Sequence, residues 1–387
     1  MAGFKGYKRP DGRVGVRNHV VVMPGVLCAD VAARRIADAT GAIYLHNPYG
    51  CGQTGADHER TLHILSGLLA NPNVFGALIV GLGCEFLSED RYRAAVGRRS
   101  PGKPIRYVSI QSDGGIAATV EKGVSMVREL AENAEKCERA ECDISELILG
   151  LECGGSDPTS GISANVVLGE VSDRIVDMGG TVVISEPAEA VGAEHILRDR
   201  GATPEIGQAI YDCVRDREAA FAAIGENIRD SNPSPGNIKA GISTLEEKSL
   251  GCVIKAGTRP FTALVGYGDP VTARGTVFMD AAAFDAASVT ALAAGGCQAV
   301  VFTTGLGNPI GNAIAPVIKI TGNSGTYRKL FDMLDFDSGG TITGGKTVSQ
   351  SADELMELVL SVCTGRLVKA EINGAGLISI DHHNMLA

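Results

Sequence analysis

Short apolar, β-branched runs alternate with longer helical patterns along most of the chain, and this alternation restricts it to an α/β architecture. Residues 20–23, 43–45, 77–80, 105–109, 147–151, 181–185, 262–265, 277–279 and 298–302 read as strands. Between them, 59–69, 116–135, 164–177, 204–224, 245–255, 286–293 and 352–363 carry helical periodicity. Several strands are unbroken Val/Ile/Leu runs, as expected where helices cover both faces of a parallel sheet. The expected fold is α/β, with two Rossmann-like domains whose mainly parallel sheets are flanked by helices. The charged stretch 132–143 ends a long helix and precedes a fresh strand, so it reads as an inter-domain connection and divides the chain into 1–140 and 141–387. A second interruption, 231–237, holds two prolines and reads as an ordered loop of the C-terminal domain.

Composition narrows the function classes. Glycine accounts for 50 of 387 residues, nearly twice the usual ~7 %, while apolar (44 %) and charged (21 %) residues are ordinary. That excludes a disordered or collagen-like chain and points to many tight loops at strand ends. A net charge of −10 argues against nucleic acid as a partner. No stretch approaches the ~18 apolar residues of a membrane span, and the first residues lack a signal-peptide apolar region. A cytoplasmic protein with its ten cysteines reduced is therefore expected.

In open α/β sheets, ligands bind beyond the carboxyl ends of the strands. Three cysteines lie there with glycine beside them: Cys51, Cys84 and Cys153. Three thiolates on separate loops are a ligand set for an iron–sulfur cluster with one open iron, or for a soft metal ion. Equally, each is a small buried residue at a tight turn. The segments 79–85 and 148–154 echo one another, each running apolar strand, glycine, then Cys beside Glu. Cys28, Cys213, Cys252, Cys297 and Cys363 read as core, and Cys137 and Cys142 as incidental in the connector. His46 follows a strand and is a candidate proton carrier or a structural histidine. Of His58, His63, His195, His382 and His383, most read as surface groups. Glu85, Glu152 and Glu186 at strand ends are candidate acids, bases or supports of a metal ligand. The glycine-rich stretch 302–311 does not match a dinucleotide fingerprint. Its Thr303, Thr304 and Asn308 are placed to donate to a carboxylate or hydroxyls, or simply form a turn. Lys5, Lys8, Arg9, Arg13 and Arg17 make a basic N-terminal edge that steers an anion or is merely solvated.

Motifs at 6–18, 49–52, 71–73, 81–85, 153–157, 160–165, 232–237, 303–305 and 315–319 together resemble the altronate/galactarate dehydratase family over nearly the whole chain. The resemblance implies an iron-dependent hydro-lyase that converts a sugar acid to a 2-keto-3-deoxy acid. Iron, as Fe2+ or a 4Fe-4S cluster, would be held by Cys51, Cys84 and Cys153. His46, Glu85 and Glu152 would handle protons. Arg17, Asn47, Gln53, Ser156, Asp157, Asn165, Thr303, Thr304, Asn308 and Lys319 would bind the hydroxy-carboxylate substrate. Single-chain members begin with a small SAF-type domain, whereas this sequence starts at the large part. It therefore resembles a large subunit working with a separate small SAF-domain subunit in an oligomer. The sulfolactate sulfo-lyase branch has that arrangement and is the alternative activity. The motifs around Cys51 and Cys84 favour loss of water over loss of sulfite. A non-catalytic, metal-loaded sugar-acid binding subunit is the remaining reading.

Overall fold

All nine expected strands form. The computed structural model describes residues 3–382. Its strands are β1 (Gly3–Lys8), β2 (Val14–Gly15), β3 (His19–Pro24), β4 (Ile43–Tyr44), β5 (Val74–Gly81), β6 (Ile105–Ser109), β7 (Ala140–Asp143), β8 (Ile148–Cys153), β9 (Thr181–Ile184), β10 (Phe261–Val265), β11 (Gly275–Met279), β12 (Ala299–Thr303), β13 (Val317–Thr321) and β14 (Phe336–Asp337). A four-stranded parallel sheet runs β4-β3-β5-β6. A seven-stranded parallel sheet runs β10-β11-β9-β8-β12-β13-β14. The third sheet, β2-β1-β7, is antiparallel.

Helices cover the parallel sheets with their apolar stripes. In Ile116–Glu135 the buried positions are Thr119, Gly123, Val127, Leu130 and Ala134, spaced three or four residues apart. Gly123 lets this helix approach its neighbour Asp30–Thr40, because a Cβ there would lie 2.4 Å from Ile36. The helix Pro204–Ala223 starts cleanly, with Thr203 capping it and proline at its first position.

The charged stretch 132–143 is itself structured. Its first residues finish the helix Ile116–Glu135, and its last four form β7, paired with β1. Cys142 is thereby buried in the core rather than incidental. Nor is the basic N-terminal edge simply solvated. Arg9 and Arg17 are buried and donate to backbone carbonyls, and Arg17 forms an ion pair of 2.7 Å with Glu371. The apolar core beneath the four-stranded sheet includes Ala293, Ala294, Ile314, Ala315 and Ile380, so packing is continuous between the two parallel sheets. His382 is buried against Thr61 and Gln53 instead of lying on the surface, and His383 falls outside the described residues. Among the described residues, no helix is long and apolar enough to cross a membrane.

Candidate active site

From β8 the chain moves to β9 on one side and later returns to β12 on the other. Strand order therefore reverses between β8 and β12, and this switch point opens a crevice beyond their carboxyl ends. Glu152 and Cys153 end β8, Thr303 ends β12, and Ser185 and Glu186 follow β9. The loops after β8 and β12 are tied together, with the N–H groups of Gly305 and Leu306 donating to the Gly155 carbonyl at 3.0 and 2.8 Å. Two glycines permit the crowding. A Cβ on Gly305 would lie 2.2 Å from the Asp157 carboxylate, and one on Gly154 would lie 2.3 Å from Asp285.

Two groups of donors, all buried except the partly exposed Asp285, meet at this edge. In the first, the sulfurs of Cys153 and Cys252 are 3.5 Å apart, and Glu189 brings a carboxylate within 4.8 Å of both. The Lys255 ammonium, wholly buried, sits 3.0 Å from Cys153 Sγ and 2.9 Å from Cys252 Sγ. The hydrogen bond from Cys153, together with that ammonium, holds the Cys252 thiol below its usual range. Glu189 is likewise matched, by Lys248 at 2.9 Å. This group is balanced in charge. A cleft of about 230 Å³ leads to it, lined by Ile162, Asn165, Leu250 and both cysteines.

The second group is Glu152, Glu186 and Asp285, whose carboxylate oxygens also lie within 4.8 Å of one another. Glu152 Oε2 accepts from Ser288 and, at 3.3 Å, from Ser185. Asp285 accepts from Asn308 Nδ2 at 2.5 Å. Glu152 Oε1 and Glu186 Oε2 are buried without a hydrogen-bond partner. Burial and the charge of Glu152 push the Glu186 carboxyl well above its usual range, and the same two causes bring Asp285 up to about 6. Lys319, on β13, is wholly buried over the Phe302 ring and donates to the Ile310 carbonyl. Its burial lowers the amine to about 7.

The residues singled out in the sequence divide between places. Glu152, Cys153, Asn308 and Lys319 lie at this edge. Thr303 and Asn165 satisfy each other at 2.6 Å. Thr304 accepts from Gly307, and Asp157 accepts from Thr159, Ser160 and Asn323, so both brace the loops. Ser156 is buried beside Cys153 in the lining of the cleft. Cys51, Gln53, Asn47 and Glu85 line a small cavity of the four-stranded sheet, whose order also reverses, between β3 and β5. There Asn47 donates to Pro24, Gln53 to Thr61, and Glu85 accepts from Tyr107. His46 is half exposed, 3.2 Å from Asp30. Arg17 serves the Glu371 pair described above. Cys51 and Cys84 are exposed, and the donors grouped with Cys153 are Cys252 and Glu189. The expected three cysteines are thus not brought together at the spacing of a single metal ion.

Sequence reasoning placed Cys252 in the core and did not single out Lys255, Glu189, Asp285 or Ser288. One signal was available: Lys255 interrupts an otherwise apolar stretch three residues after a cysteine.

Two family profiles account for nearly the whole chain. Residues 6–135 match the D-galactarate dehydratase/altronate hydrolase second domain, and 144–385 match the D-galactarate/altronate dehydratase C-terminal domain. The chain belongs to the galactarate/altronate dehydratase family. It is 37 % identical over 381 residues to the altronate dehydratase of Bacillus subtilis, covering 96 % of this chain and 76 % of that protein. The altronate dehydratase of Escherichia coli is 36 % identical over 378 residues, covering 95 % and 75 %. A (2R)-sulfolactate sulfo-lyase subunit beta of Chromohalobacter salexigens is 35 % identical over 375 residues, covering 96 % and 95 %. The chain is an enzyme of the lyase class to which these relatives belong.

Proposed function

We propose that the chain is an iron-dependent hydro-lyase that removes water from a sugar acid, an aldonate or aldarate, to leave a 2-keto-3-deoxy acid. The observation that carries this reading is the pair of buried donor groups at the β8–β12 switch point of a chain in a dehydratase family. The reaction needs a base for the proton on the carbon next to the carboxylate, and departure of the β-hydroxyl with a proton as water. The resulting enol then tautomerises to the keto acid. Lys319 is suited to take the first proton, because an amine brought to about 7 is substantially neutral at physiological pH. Asn308, which holds Asp285, and Ser156, in the lining of the cleft, are suited to orient carboxylate and hydroxyls. The two donor groups offer carboxylate oxygens and sulfurs that suit a divalent ion, so iron would be held by residues drawn from Cys153, Cys252 and Glu189 or from Glu152, Glu186 and Asp285. Bound there, it would supply Lewis-acid polarisation of the departing hydroxyl.

A separate small SAF-domain subunit is part of the proposal, supported by the near full-length match to a relative that is itself called a subunit. That same match supports a second reading, sulfite release from sulfolactate. The test is anaerobic purification with and without the small subunit, followed by assay of aldonates, aldarates and sulfolactate for keto acid and sulfite. Keto acid without sulfite supports the proposal. Sulfite release, or ligand binding without turnover, overturns it.

A further inference from the structure

We propose that the four-stranded sheet carries a cofactor of its own, a 4Fe-4S cluster held by Cys28, Cys51 and Cys84 at the carboxyl ends of β3, β4 and β5. Free cysteine is among the most buried of residue types. Of the ten cysteines here, all described and all free, three are exposed: Cys28, Cys51 and Cys84. Those three share one place in the fold. Cys28 lies in the turn Leu27–Ala29 that follows β3, Cys51 in the loop after β4, and Cys84 just beyond β5. β3 is flanked by β4 and β5, all parallel, so the three loops leave the same edge of the sheet side by side. The sequence pattern placed Cys28 in the core and grouped Cys51 and Cys84 with Cys153. Exposure and strand order instead group Cys28 with Cys51 and Cys84.

The three loops are drawn together. The N–H of Leu27, next to Cys28, donates at 2.9 Å to the carbonyl of Tyr49 in the Cys51 loop. Val26, Cys51 and Glu85, one from each loop, line a single small cavity. Gln111 Nε2 lies 3.8 Å from Cys84 Sγ, a donor aimed at sulfur. Each cysteine is followed closely by a helix, Asp30–Thr40, Gly55–Ala70 and Glu89–Arg99, and none of these is capped by the side chain before it. The first-turn N–H groups and positive ends of those helices favour thiolate and an anionic cluster. The sulfurs do not close on one ion: among the described residues, none of the three belongs to a group of ligand atoms within 4.8 Å of one another. A cubane offers a separate iron to each thiolate and so holds its ligands farther apart. Three thiolates leave its fourth iron open to an oxygen ligand, water or a hydroxy-carboxylate. The inference goes beyond the lyase reading and does not depend on it.

The test uses the whole chain, purified anaerobically and reconstituted with iron and sulfide. The expected result is about four acid-labile sulfides per chain, at least as many irons, and broad brown visible absorption. Ferricyanide should then release the open iron: [4Fe-4S]2+ gives [3Fe-4S]+, Fe2+ and one electron, which reduces ferricyanide to ferrocyanide. The 3Fe product has an electron paramagnetic resonance signal that the parent cluster lacks. Cys28→Ser, Cys51→Ser and Cys84→Ser should each lose the sulfide and the absorption, whereas Cys137→Ser should keep both. Alkylation read by mass spectrometry needs no variant, since the three thiols should be shielded in the loaded protein and modified once a chelator strips the iron. Iron bound without labile sulfide, no 3Fe signal on oxidation, equal alkylation of loaded and stripped protein, or full sulfide in all three variants overturns the proposal. A cluster in protein that forms no keto acid would instead refute the dehydratase reading, and keto acid from sulfide-free protein would refute only the cluster.

Discussion

Glu186 has left-handed backbone geometry, with φ of 70°, and among the described residues it is the only non-glycine with positive φ. Such a conformation costs about 1–3 kcal/mol and persists where surrounding structure enforces it, commonly at functional sites. Here it turns the chain after β9 so that a carboxylate reaches Glu152 and Asp285. Glu186→Gln keeps the shape, and because burial and the charge of Glu152 already favour the protonated carboxyl, it changes the buried charge of the metal-free protein little. The metal-free variant should therefore melt no lower than the wild type, while turnover falls roughly 100-fold or more. Calorimetry and a keto-acid assay check the two halves. Lys319 makes a pH prediction whose sign is fixed. Burial lowers its amine to about 7, so between about 7 and the free-lysine value of about 10.5 the unfolded chain holds a proton that the folded chain has released. Stability from this residue thus rises with pH across that window, by roughly 1.4 kcal/mol per unit, and its full cost is felt below 7. Denaturant unfolding of the wild type and Lys319→Met at several pH values should show their difference moving in that direction.

At the scale of elements, the crevice depends on loops that approach too closely for side chains. Gly154→Ala would place a methyl 2.3 Å from the Asp285 carboxylate, forcing it out of the trio. The variant should fold, with an unchanged far-ultraviolet spectrum, and bind Mn2+ at least ~10-fold more weakly in a titration. These elements were largely legible in the sequence because buried parallel strands leave unbroken apolar runs. β13 was missed because Lys319 interrupts its run, and β7 because its sequence, Ala-Glu-Cys-Asp, is half acidic. Glu152 was legible because it ends a strand. Cys252, Lys255 and Asp285 were not, since each reaches the site from a helix or turn distant in sequence. Only the packing of the helices Leu245–Val253 and Asp285–Ala294 against the edge of the sheet makes them neighbours of β8.

Across the whole molecule, buried asparagines join the two parallel sheets. Asn71 donates to the carbonyls of Ala293 and Cys297, and Asn73 to those of Gln298 and Ile314. Asn73 also accepts from the N–H groups of Val16 and Arg17. Asn73→Ala strands several of these buried groups and should cost about 2–4 kcal/mol, measured as a lower midpoint in urea. Because the apolar core beneath the four-stranded sheet includes residues from both parts, unfolding of the wild type should remain a single transition. The account's central claim is that this joined scaffold carries a dehydratase site at the edge of its larger sheet. It is tested most directly by comparing keto-acid formation by the wild type and Asp285→Asn, assayed anaerobically with Fe2+ and the small subunit. The account predicts keto acid without sulfite from the wild type, and roughly 100-fold less from a variant that is equally folded. Equal turnover by the two proteins, or keto acid from neither, would contradict it.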